Sequence, residues 1–403
     1  MTFNLDQPID RSNTHSAKYH VVSRNGVTTI SDVANRANGT DRIIQMWVAD
    51  MDFLTVPEIT KALHKRIDHQ IYGYTLPQDG YYESVMNWYA SRYDWHVEKE
   101  WILHSPGVVA ALNTACRCFT EPGDKVLIQP PVYHPFKKAI ENNGRVAVNS
   151  PLLHDEATGR YTMDFDGLAR KSADPAVKLL LLCSPHNPVA RVWTSDELTR
   201  VAQICIDNNV IIMADELHCD LIFSNTTFVP MATLSNEIAN QTITCMAPSK
   251  TFNLAGLKTS QITIPNPELR EKFQAELTRC VIGRPKMFGL ITTEAAYTYG
   301  EPWLNEVMTY IEDNFNYMQD CFAKHLPQLK LTPPEGTYLM WLDFRAFGLN
   351  QADLIDKLLD EAKVHMSSGA QFGVEGTGFM RMNIATSRSD LAEAVERIIR
   401  VFG

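Results

Sequence analysis

The chain has 403 residues, of which 45% are hydrophobic and 21% charged, and its formal net charge at pH 7 is −10. These values are typical of a globular protein with two or three domains, and an acidic chain without a Lys/Arg run argues against nucleic acid as the main partner. The polar N-terminus, the short apolar runs and eight cysteines without zinc-binding spacing predict a cytoplasmic protein with reduced thiols, no membrane span and no metal site.

The first third of the chain predicts helices after a polar start. Residues 1–45 carry no long apolar run, and we expect this segment to pack against the C-terminal part of the protein. Apolar residues recur at helical spacing over residues 57–70 and again over residues 109–119. Both stretches therefore predict amphipathic helices with one buried face.

The middle of the chain predicts a buried sheet. Four short apolar runs occur there, at residues 126–128, 179–183, 210–214 and 242–246. Helical patterns separate several of them, for example over residues 195–208, where Ser195 is the expected cap. Runs that are apolar on both faces and alternate with helices indicate a parallel sheet covered on both sides, and hence an α/β architecture.

The last third has a different pattern. Residues 336–344, 364–367 and 379–385 predict strands, whereas residues 351–362 and 389–401 predict helices. We therefore expect a smaller α+β domain at the C-terminus. The predicted division is an N-terminal segment of residues 1–45, a large domain of residues 46–290 and a small domain of residues 291–403.

The four apolar runs are each followed by a polar side chain of a particular kind. Tyr133, Asn187, Asp215 and Lys250 lie at or shortly beyond the ends of these runs. Because ligands bind beyond the carboxyl ends of the strands in open parallel sheets, we expect the four side chains at one edge. The sequence therefore predicts a site with an aromatic ring, an amide, a carboxylate and an amine.

Such a set of groups suits a pyridine cofactor that carries an aldehyde and a phosphate. The amine of Lys250 can form a Schiff base with the aldehyde, and the carboxylate of Asp215 can keep the pyridine nitrogen protonated. The amide of Asn187 can donate to the ring hydroxyl, and the ring of Tyr133 can stack on the pyridine. Gly107 permits a tight turn at the start of a helix whose N–H groups can bind the phosphate.

Eight motifs of this chain resemble those of a known family. Ala-Pro-Ser-Lys-Thr-Phe-Asn-Leu-Ala-Gly-Leu (247–257) resembles the lysine signature of class I/II aminotransferases, which are pyridoxal 5′-phosphate (PLP) enzymes. The other seven are Val-Ala-Asp-Met-Asp-Phe (48–53), Ser-Pro-Gly-Val-Val (105–109), Pro-Val-Tyr-His-Pro-Phe (131–136), Cys-Ser-Pro-His-Asn-Pro (183–188), Asp-Glu-Leu-His (215–218), Glu-Gly-Thr-Tyr (335–338) and Arg-Met-Asn-Ile-Ala (381–385). Together they resemble the MalY/PatB branch, the cystathionine β-lyases or cysteine-S-conjugate β-lyases, from about residue 45 to the C-terminus.

The resemblance implies PLP fold type I, the aspartate-aminotransferase-like fold, with a mostly parallel central sheet and a smaller α+β domain. It implies that Lys250 is the Schiff-base lysine and the proton shuttle, and that Asp215 pairs with the pyridinium nitrogen. Asn187 is expected to bind the ring oxygen, with His218 near it, and Tyr133 to stack on or flank the ring.

The resemblance also implies a phosphate site and a dimer. The expected phosphate-binding residues are Gly107, Val108, Val109, Ser249 and Lys258. Lys258 stands where related aminotransferases often carry an arginine, so it supplies the positive charge but lacks the paired N–H donors of a planar guanidinium. Tyr74 is expected to reach the phosphate of the neighbouring subunit's cofactor, which implies a homodimer with active sites at the interface.

Substrate binding is expected around a single arginine. Arg381 would hold the α-carboxylate of an amino acid by a planar, bidentate contact, with Asn187, Asp50 and Met51 nearby. Two further departures from the branch are Ala110, where proline is expected, and Ala190, where glycine is expected.

The implied reaction is β-elimination from L-cystathionine or a related cysteine S-conjugate, which yields pyruvate, ammonia and a thiol. Two alternatives stay open, a PLP-dependent aminotransferase and a non-catalytic PLP-fold regulator. Asp215, His218 and Asp220 also resemble a metal cluster, although no second group with ligand spacing accompanies them. The alternative for His218 is a core histidine without a chemical role.

Overall fold

The computed structural model of the protein describes residues 3–11, 13–24, 27–30 and 42–403. Its strands are β1 (Val21–Arg24), β2 (Val27–Ile30), β3 (Ile44–Gln45), β4 (Ile102–Ser105), β5 (Lys125–Ile128), β6 (Val146–Asn149), β7 (Leu153–His154), β8 (Tyr161–Thr162), β9 (Val177–Cys183), β10 (Ile211–Asp215), β11 (Thr242–Met246), β12 (Ser260–Thr263), β13 (Lys330–Leu331), β14 (Leu339–Asp343), β15 (Val364–His365), β16 (Ser367–Ser368) and β17 (Phe379–Asn383). Its α-helices are α1 (Ala17–His20), α2 (Pro57–Asp68), α3 (Asp79–Tyr93), α4 (Val108–Phe119), α5 (Pro135–Glu141), α6 (Phe165–Ser172), α7 (Ser195–Asp207), α8 (Asn236–Gln241), α9 (Pro248–Thr251), α10 (Pro267–Arg279), α11 (Met287–Tyr299), α12 (Glu301–His325), α13 (Gln351–Asp356) and α14 (Arg388–Phe402).

The central sheet has seven strands in the order β4-β12-β11-β10-β9-β5-β6. The strands from β11 to β6 are parallel, and β12 runs antiparallel to both of its neighbours. The four apolar runs predicted as strands form β5, β9, β10 and β11, which lie side by side in this sheet. The predicted α/β fold with a mostly parallel sheet is therefore confirmed, and the carboxyl ends of these four strands meet at one edge.

Helices cover both faces of the sheet. In β9, Leu179 and Leu181 pack with residues of α4, α5 and α10, whereas Leu180 and Leu182 pack with residues of α6, α7 and α8. Burying a leucine side chain stabilises the fold by about 1.5–3 kcal/mol relative to leaving it exposed, so both faces of each strand contribute. This two-sided burial is why the strands appear in the sequence as continuous apolar runs.

Helix α7 begins at the predicted residue, but its cap is different. The hydroxyl of Thr194, not that of Ser195, accepts a hydrogen bond from the Glu197 N–H across 3.2 Å. The Glu197 carboxylate in turn accepts from the Thr194 N–H across 2.9 Å. The predicted cap at Ser195 is therefore wrong by one residue, because the reciprocal bonds select a Thr with Glu three positions later.

The C-terminal part contains a four-stranded antiparallel sheet of order β13-β14-β17-β16. The single strand predicted over residues 364–367 is wrong, because the chain changes partner there. β15 pairs in parallel with β3, whereas β16 pairs with β17. Both short strands are buried, so the apolar pattern contains no sign of the change.

The N-terminal segment contacts the C-terminal part at several points. Arg24 forms ion pairs with Asp356 and Asp360, and the Ser23 N–H donates to the ring of His365 across 3.3 Å. Part of the predicted segment 1–45 lies outside the described residues. The predicted boundary between residues 290 and 291 falls inside α11, and the domain division stays a prediction.

Within these described ranges, every helix is too short or too polar to cross a membrane.

Candidate active site

A cavity lies at the carboxyl edge of the central sheet. Six of the predicted site residues line it: Tyr133, Asn187, Asp215, His218, Lys250 and Arg381. Asp215 is the last residue of β10, and four others follow β5, β9, β10 and β11: Tyr133, Asn187, His218 and Lys250. Arg381 comes from β17 of the C-terminal sheet. The structure therefore brings together the aromatic ring, the amide, the carboxylate and the amine that the sequence predicts.

Lys250 lies in the short helix α9, just after β11. Its Nζ donates to the backbone carbonyl of Ala49 across 2.6 Å. Burial lowers the pKa of Lys250 to about 8, and the charges of Arg381 and Lys258 act in the same direction, whereas Asp50 and Asp215 oppose it. The amine is therefore neutral in a substantial fraction of molecules near pH 8, as a base or nucleophile requires.

Asp215 ends β10 at the centre of the sheet, with Cys183 and Cys245 beside it in register on the neighbouring strands. Its carboxylate accepts from the Leu217 N–H across 3.3 Å. Among the described residues, no Lys or Arg forms an ion pair with it, and burial raises its pKa to about 7. A cationic N–H donor placed in the cavity would stabilise the ionised form of this carboxylate.

Arg381 is buried in β17 and connects three parts of the chain. Its Nη1 donates to Asn187 Oδ1 across 2.9 Å, and its Nη2 donates to the Trp47 carbonyl across 2.9 Å and to Ser367 Oγ across 3.2 Å. Nε is buried and has no partner among the described residues. Burial lowers the pKa of Arg381 to about 10, so the group stays cationic at neutral pH and can receive an anion.

The loop that carries Asn187 has a backbone conformation that favours glycine. Ala190 has φ of +55°, and its N–H donates to the His186 carbonyl across 2.8 Å. Its own carbonyl accepts from the Glu335 N–H across 2.8 Å. The alanine therefore keeps the turn expected for glycine at this position, held by bonds on both sides.

Three aromatic groups beyond the strands of the central sheet line the cavity: Tyr133, His134 and His218. The His218 ring makes an edge contact with Tyr338, with centroids 6.2 Å apart, and its Nδ1 is buried without a partner in the described part of the chain. Burial lowers the pKa of His218 to about 3, so the ring is neutral. Burial also raises the pKa of Tyr133, which keeps its hydroxyl protonated.

The start of α4 is available for an anion. Gly107 precedes the helix with φ of +105°, and a Cβ at this position would meet nothing within 4 Å. No side chain caps the helix, so its first N–H groups are open to a ligand such as phosphate. Val108 is buried and Val109 is 42% exposed, so only their backbone N–H groups suit phosphate binding.

The other predicted phosphate contacts lie beyond the cavity lining. Ser249 is half-buried in α9, next to Lys250. Lys258 is exposed, has φ of +53°, and is near enough to Lys250 to lower its pKa. Tyr74 is fully exposed and therefore has no contact with the cavity of its own chain.

These groups fit the expected PLP. The buried carboxylate of Asp215 suits the pyridine nitrogen, the amine of Lys250 suits the aldehyde, and the uncapped start of α4 suits the phosphate. Asp50 and Met51 do not line the cavity. The Asp50 carboxylate accepts from Arg11 across 3.0 Å, so its predicted substrate contact stays a prediction.

Four lining residues lie outside the motifs, namely Trp47, Ser367, Gln371 and Phe372, whereas Val48 and Ala49 belong to the motif at residues 48–53. The motif at residues 48–53 indicates that this loop belongs to the site. It does not predict that the backbone carbonyls of Trp47 and Ala49 accept from Arg381 and Lys250. The ring of Phe372 lies 4.9 Å from the Arg381 guanidinium, a contact that no spacing in the sequence indicates.

The metal alternative is not supported by the geometry. Asp220 accepts hydrogen bonds from Thr251 Oγ at 2.7 Å, from Trp88 Nε1 at 3.2 Å and from Tyr93, and it pairs with Arg92. In the described ranges, no group of three His, Cys, Asp or Glu side chains could hold an ion.

Comparison with known proteins places this geometry in a family. Residues 41–398 match the family described as aminotransferase class I and II. Cystathionine beta-lyase PatB of Bacillus subtilis is 42% identical over 98% of each chain. The crystal structure of cystalysin from Treponema denticola, which contains a pyridoxal 5′-phosphate cofactor, has a TM-score of 0.92 with 35% identity and covers 100% of this chain and 99% of its own.

A second solved structure agrees with these matches. The PLP-bound C-S lyase from Staphylococcus hominis has a TM-score of 0.89 with 32% identity, over 100% of this chain and 98% of its own. The fold is PLP fold type I, as the motifs predict. The chain belongs to the class I and II aminotransferase family, in the branch that contains the cystathionine β-lyases and C–S lyases.

Proposed function

We propose that this protein is a PLP-dependent carbon–sulfur β-lyase that cleaves L-cystathionine or related cysteine S-conjugates to pyruvate, ammonia and a thiol. The observation that carries the proposal is the convergence of Lys250, Asp215 and Arg381 on one cavity. The lyase names of PatB, at 42% identity, and of the Staphylococcus hominis C-S lyase, at 32%, support elimination over transamination.

Arg381 is the proposed anchor of the substrate. Its unpartnered Nε can donate to an α-carboxylate, and a charge-assisted pair in a buried site is strong. Asn187 accepts from Arg381 Nη1, so its side chain would contact both the cofactor ring and the substrate.

Lys250 is the proposed base and acid. With a pKa lowered to about 8, its neutral amine can take the proton from the substrate α-carbon. The bound PLP supplies an electron sink for the resulting negative charge. The C–S bond then breaks, the electron pair leaves with sulfur, and the ammonium of Lys250 can return a proton to the thiolate. Hydrolysis of the three-carbon fragment gives pyruvate and ammonia.

A homodimer is part of this proposal. The stretch around Tyr74 exposes Ile67, Ile71, Tyr72 and Leu76, which are 44–66% exposed in the single chain. An apolar cluster of this kind suits an interface, and a second copy would cover it while bringing Tyr74 to the neighbouring site.

The eight free cysteines suit a reducing cytoplasm, which completes the proposal.

One experiment separates the proposal from its alternatives. PLP-loaded protein is incubated with L-cystathionine in the absence of any keto acid, and pyruvate and free thiol are measured. We expect equal amounts of both products. Turnover that requires an added keto acid would instead identify an aminotransferase, and bound PLP without turnover of any amino acid would identify a regulator.

A further inference from the structure

The loop of residues 47–52 lies between the two principal groups of the site. The Ala49 carbonyl accepts from Lys250 Nζ across 2.6 Å, and the Trp47 carbonyl accepts from Arg381 Nη2 across 2.9 Å. The Tyr338 hydroxyl also donates to the Ala49 carbonyl across 3.2 Å. The backbone of this loop therefore fixes where the amine and the guanidinium lie relative to each other.

The opposite side of the loop is held by the N-terminal segment. Arg11 donates through Nη2 to Asp50 across 3.0 Å and through Nη1 to Asp52 across 2.9 Å, and it also reaches the Met51 carbonyl at 3.3 Å. Lys18 Nζ pairs with Asp52 across 2.6 Å. Two cations thus bind two carboxylates of one short loop.

These ion pairs are shielded from water. The side chain of Lys18 is 0% exposed and that of Asp52 is 8% exposed, so their pairing is little screened by salt. The Lys18 carbonyl also accepts from Trp47 Nε1 across 3.0 Å, which fixes the residue whose own carbonyl binds Arg381. Removing one partner of such a buried pair leaves an uncompensated charge, which is costly.

We propose that Arg11 and Lys18 are positioning residues of the active site, because their ion pairs with Asp50 and Asp52 hold loop 47–52 in the conformation that aligns Lys250 with Arg381. The inference rests on the proposed function only for the chemical roles of those last two residues. The N-terminal segment is then a working part of the site, although neither Arg11 nor Lys18 lines the cavity.

The charge balance around the lysine gives the proposal a direct measurement. Asp50, Asp215, Arg381 and Lys258 all act on Lys250, and Asp50 favours its charged form. Removing the Arg11 cation leaves Asp50 less compensated, so the charged form of Lys250 is favoured further. The amine of the Arg11→Met protein should therefore titrate at higher pH.

The first test uses the cofactor-free protein, so that it does not depend on activity. The rate of Lys250 acetylation by acetic anhydride is followed against pH by mass spectrometry. We expect the midpoint for Arg11→Met to lie at higher pH than that of the wild type. Arg11→Met combined with Asp50→Asn removes both charges and should return the midpoint to the wild-type value or below.

Arg24 provides the matched control. It lies in the same N-terminal segment and forms two ion pairs, but its partners are Asp356 and Asp360, away from loop 47–52. Arg24→Met should leave the acetylation profile of Lys250 unchanged.

The second test uses the PLP-loaded protein. Arg11→Met should lower kcat/KM about tenfold or more, with a higher KM and a lower kcat, because both the anchor and the base lose alignment. Arg11→Lys should recover part of this loss, and Arg24→Met should stay within about twofold of the wild type. Lys18→Met is a further test variant, and it is used only if thermal unfolding shows that it folds. The Arg11 side chain is 20% exposed, so substitution there is tolerated better.

An Arg11→Met protein that matches Arg24→Met in both acetylation profile and kcat/KM would overturn the proposal. If the wild type lacks lyase activity, the proposed function fails instead, and the acetylation test still decides the role of Arg11.

Discussion

Arg381 Nη1 lies 2.9 Å from Asn187 Oδ1, so a strand of the C-terminal sheet is bonded directly to the loop that follows β9 of the central sheet. The residue expected to bind the substrate carboxylate and the residue expected to bind the cofactor ring therefore move together. We therefore expect substrate binding at Arg381 to be coupled through this bond to the position of the ring contact.

The fork of Arg381 should be essential for substrate affinity. Arg381→Lys keeps a cation but loses the planar guanidinium, whose N–H groups on two nitrogens can bind a carboxylate side-on, so we expect kcat/KM to fall roughly 10–100-fold, mainly through KM. Steady-state kinetics with L-cystathionine measure the effect. Arg345→Lys, on the surface beside β17, is the control and should behave as wild type; an unchanged KM for Arg381→Lys would contradict the assignment.

Lys250 should be the attachment point of the cofactor. Lys250→Ala should abolish both the visible absorbance band of lysine-bound PLP and turnover, because the variant has no amine to react with the aldehyde. Lys258→Ala is the matched control, since it removes a nearby exposed lysine and should keep the band while weakening PLP binding. A band that survives in Lys250→Ala would show that another amine binds the cofactor.

The buried carboxylates should make the cofactor-free protein less stable at alkaline pH. Burial raises the pKa of Asp215 to about 7 and that of Glu216 to about 8, from 3.8 and 4.5. The folded state then binds more protons than the unfolded state between about pH 4 and pH 8. The stability that these groups contribute is present below pH 4 and is lost as the pH rises through 7 to 8.

Neutral substitutions test this linkage. Asp215→Asn should raise the free energy of unfolding of the cofactor-free protein at pH 8 by about 1–4 kcal/mol, and the gain should vanish near pH 4. Denaturant unfolding at both pH values measures it. Glu216→Gln should give a similar gain, but only Asp215→Asn should impair PLP binding. An Asp215→Asn protein that is less stable than wild type at pH 8 would refute the account.

Tyr74 should act on the neighbouring subunit. Mixing inactive Tyr74→Ala protein with inactive Lys250→Ala protein, followed by subunit exchange, creates dimers with one intact site. With random exchange we expect about one quarter of wild-type activity to return. Sedimentation should show a dimer, whereas a fully active monomer would exclude a contribution of Tyr74 across an interface.

The central sheet could be predicted because its strands are continuous apolar runs. Residues 242–246 were predicted as a strand and form β11 with the same bounds. Tyr133, Asn187, Asp215 and Lys250 followed from the same pattern, since parallel strands end at one edge. Arg381 is predictable only through the motif resemblance, because its strand belongs to another sheet.

The remaining contacts depend on the tertiary structure. The pairing of Arg11 with Asp50 joins two ordinary surface residue types that are 39 positions apart, and no local pattern relates them. The change of partner between β15 and β16 is hidden for a similar reason, since both strands are short and buried. Sequence patterns record burial, whereas these features depend on which surfaces meet.

The pairing of β3 with β15 has a consequence for how the chain is made. Gln45 and His365, which share a hydrogen bond of 2.8 Å, are 320 positions apart. On the ribosome, β9, β10 and β11, together with Asn187, Asp215 and Lys250 at or just beyond their ends, emerge well before the partner of β3 does. Loop 47–52, which follows β3, can therefore reach its final position only after nearly the whole chain has been made. The site is completed late in synthesis, by a contact between residues that are far apart in the sequence.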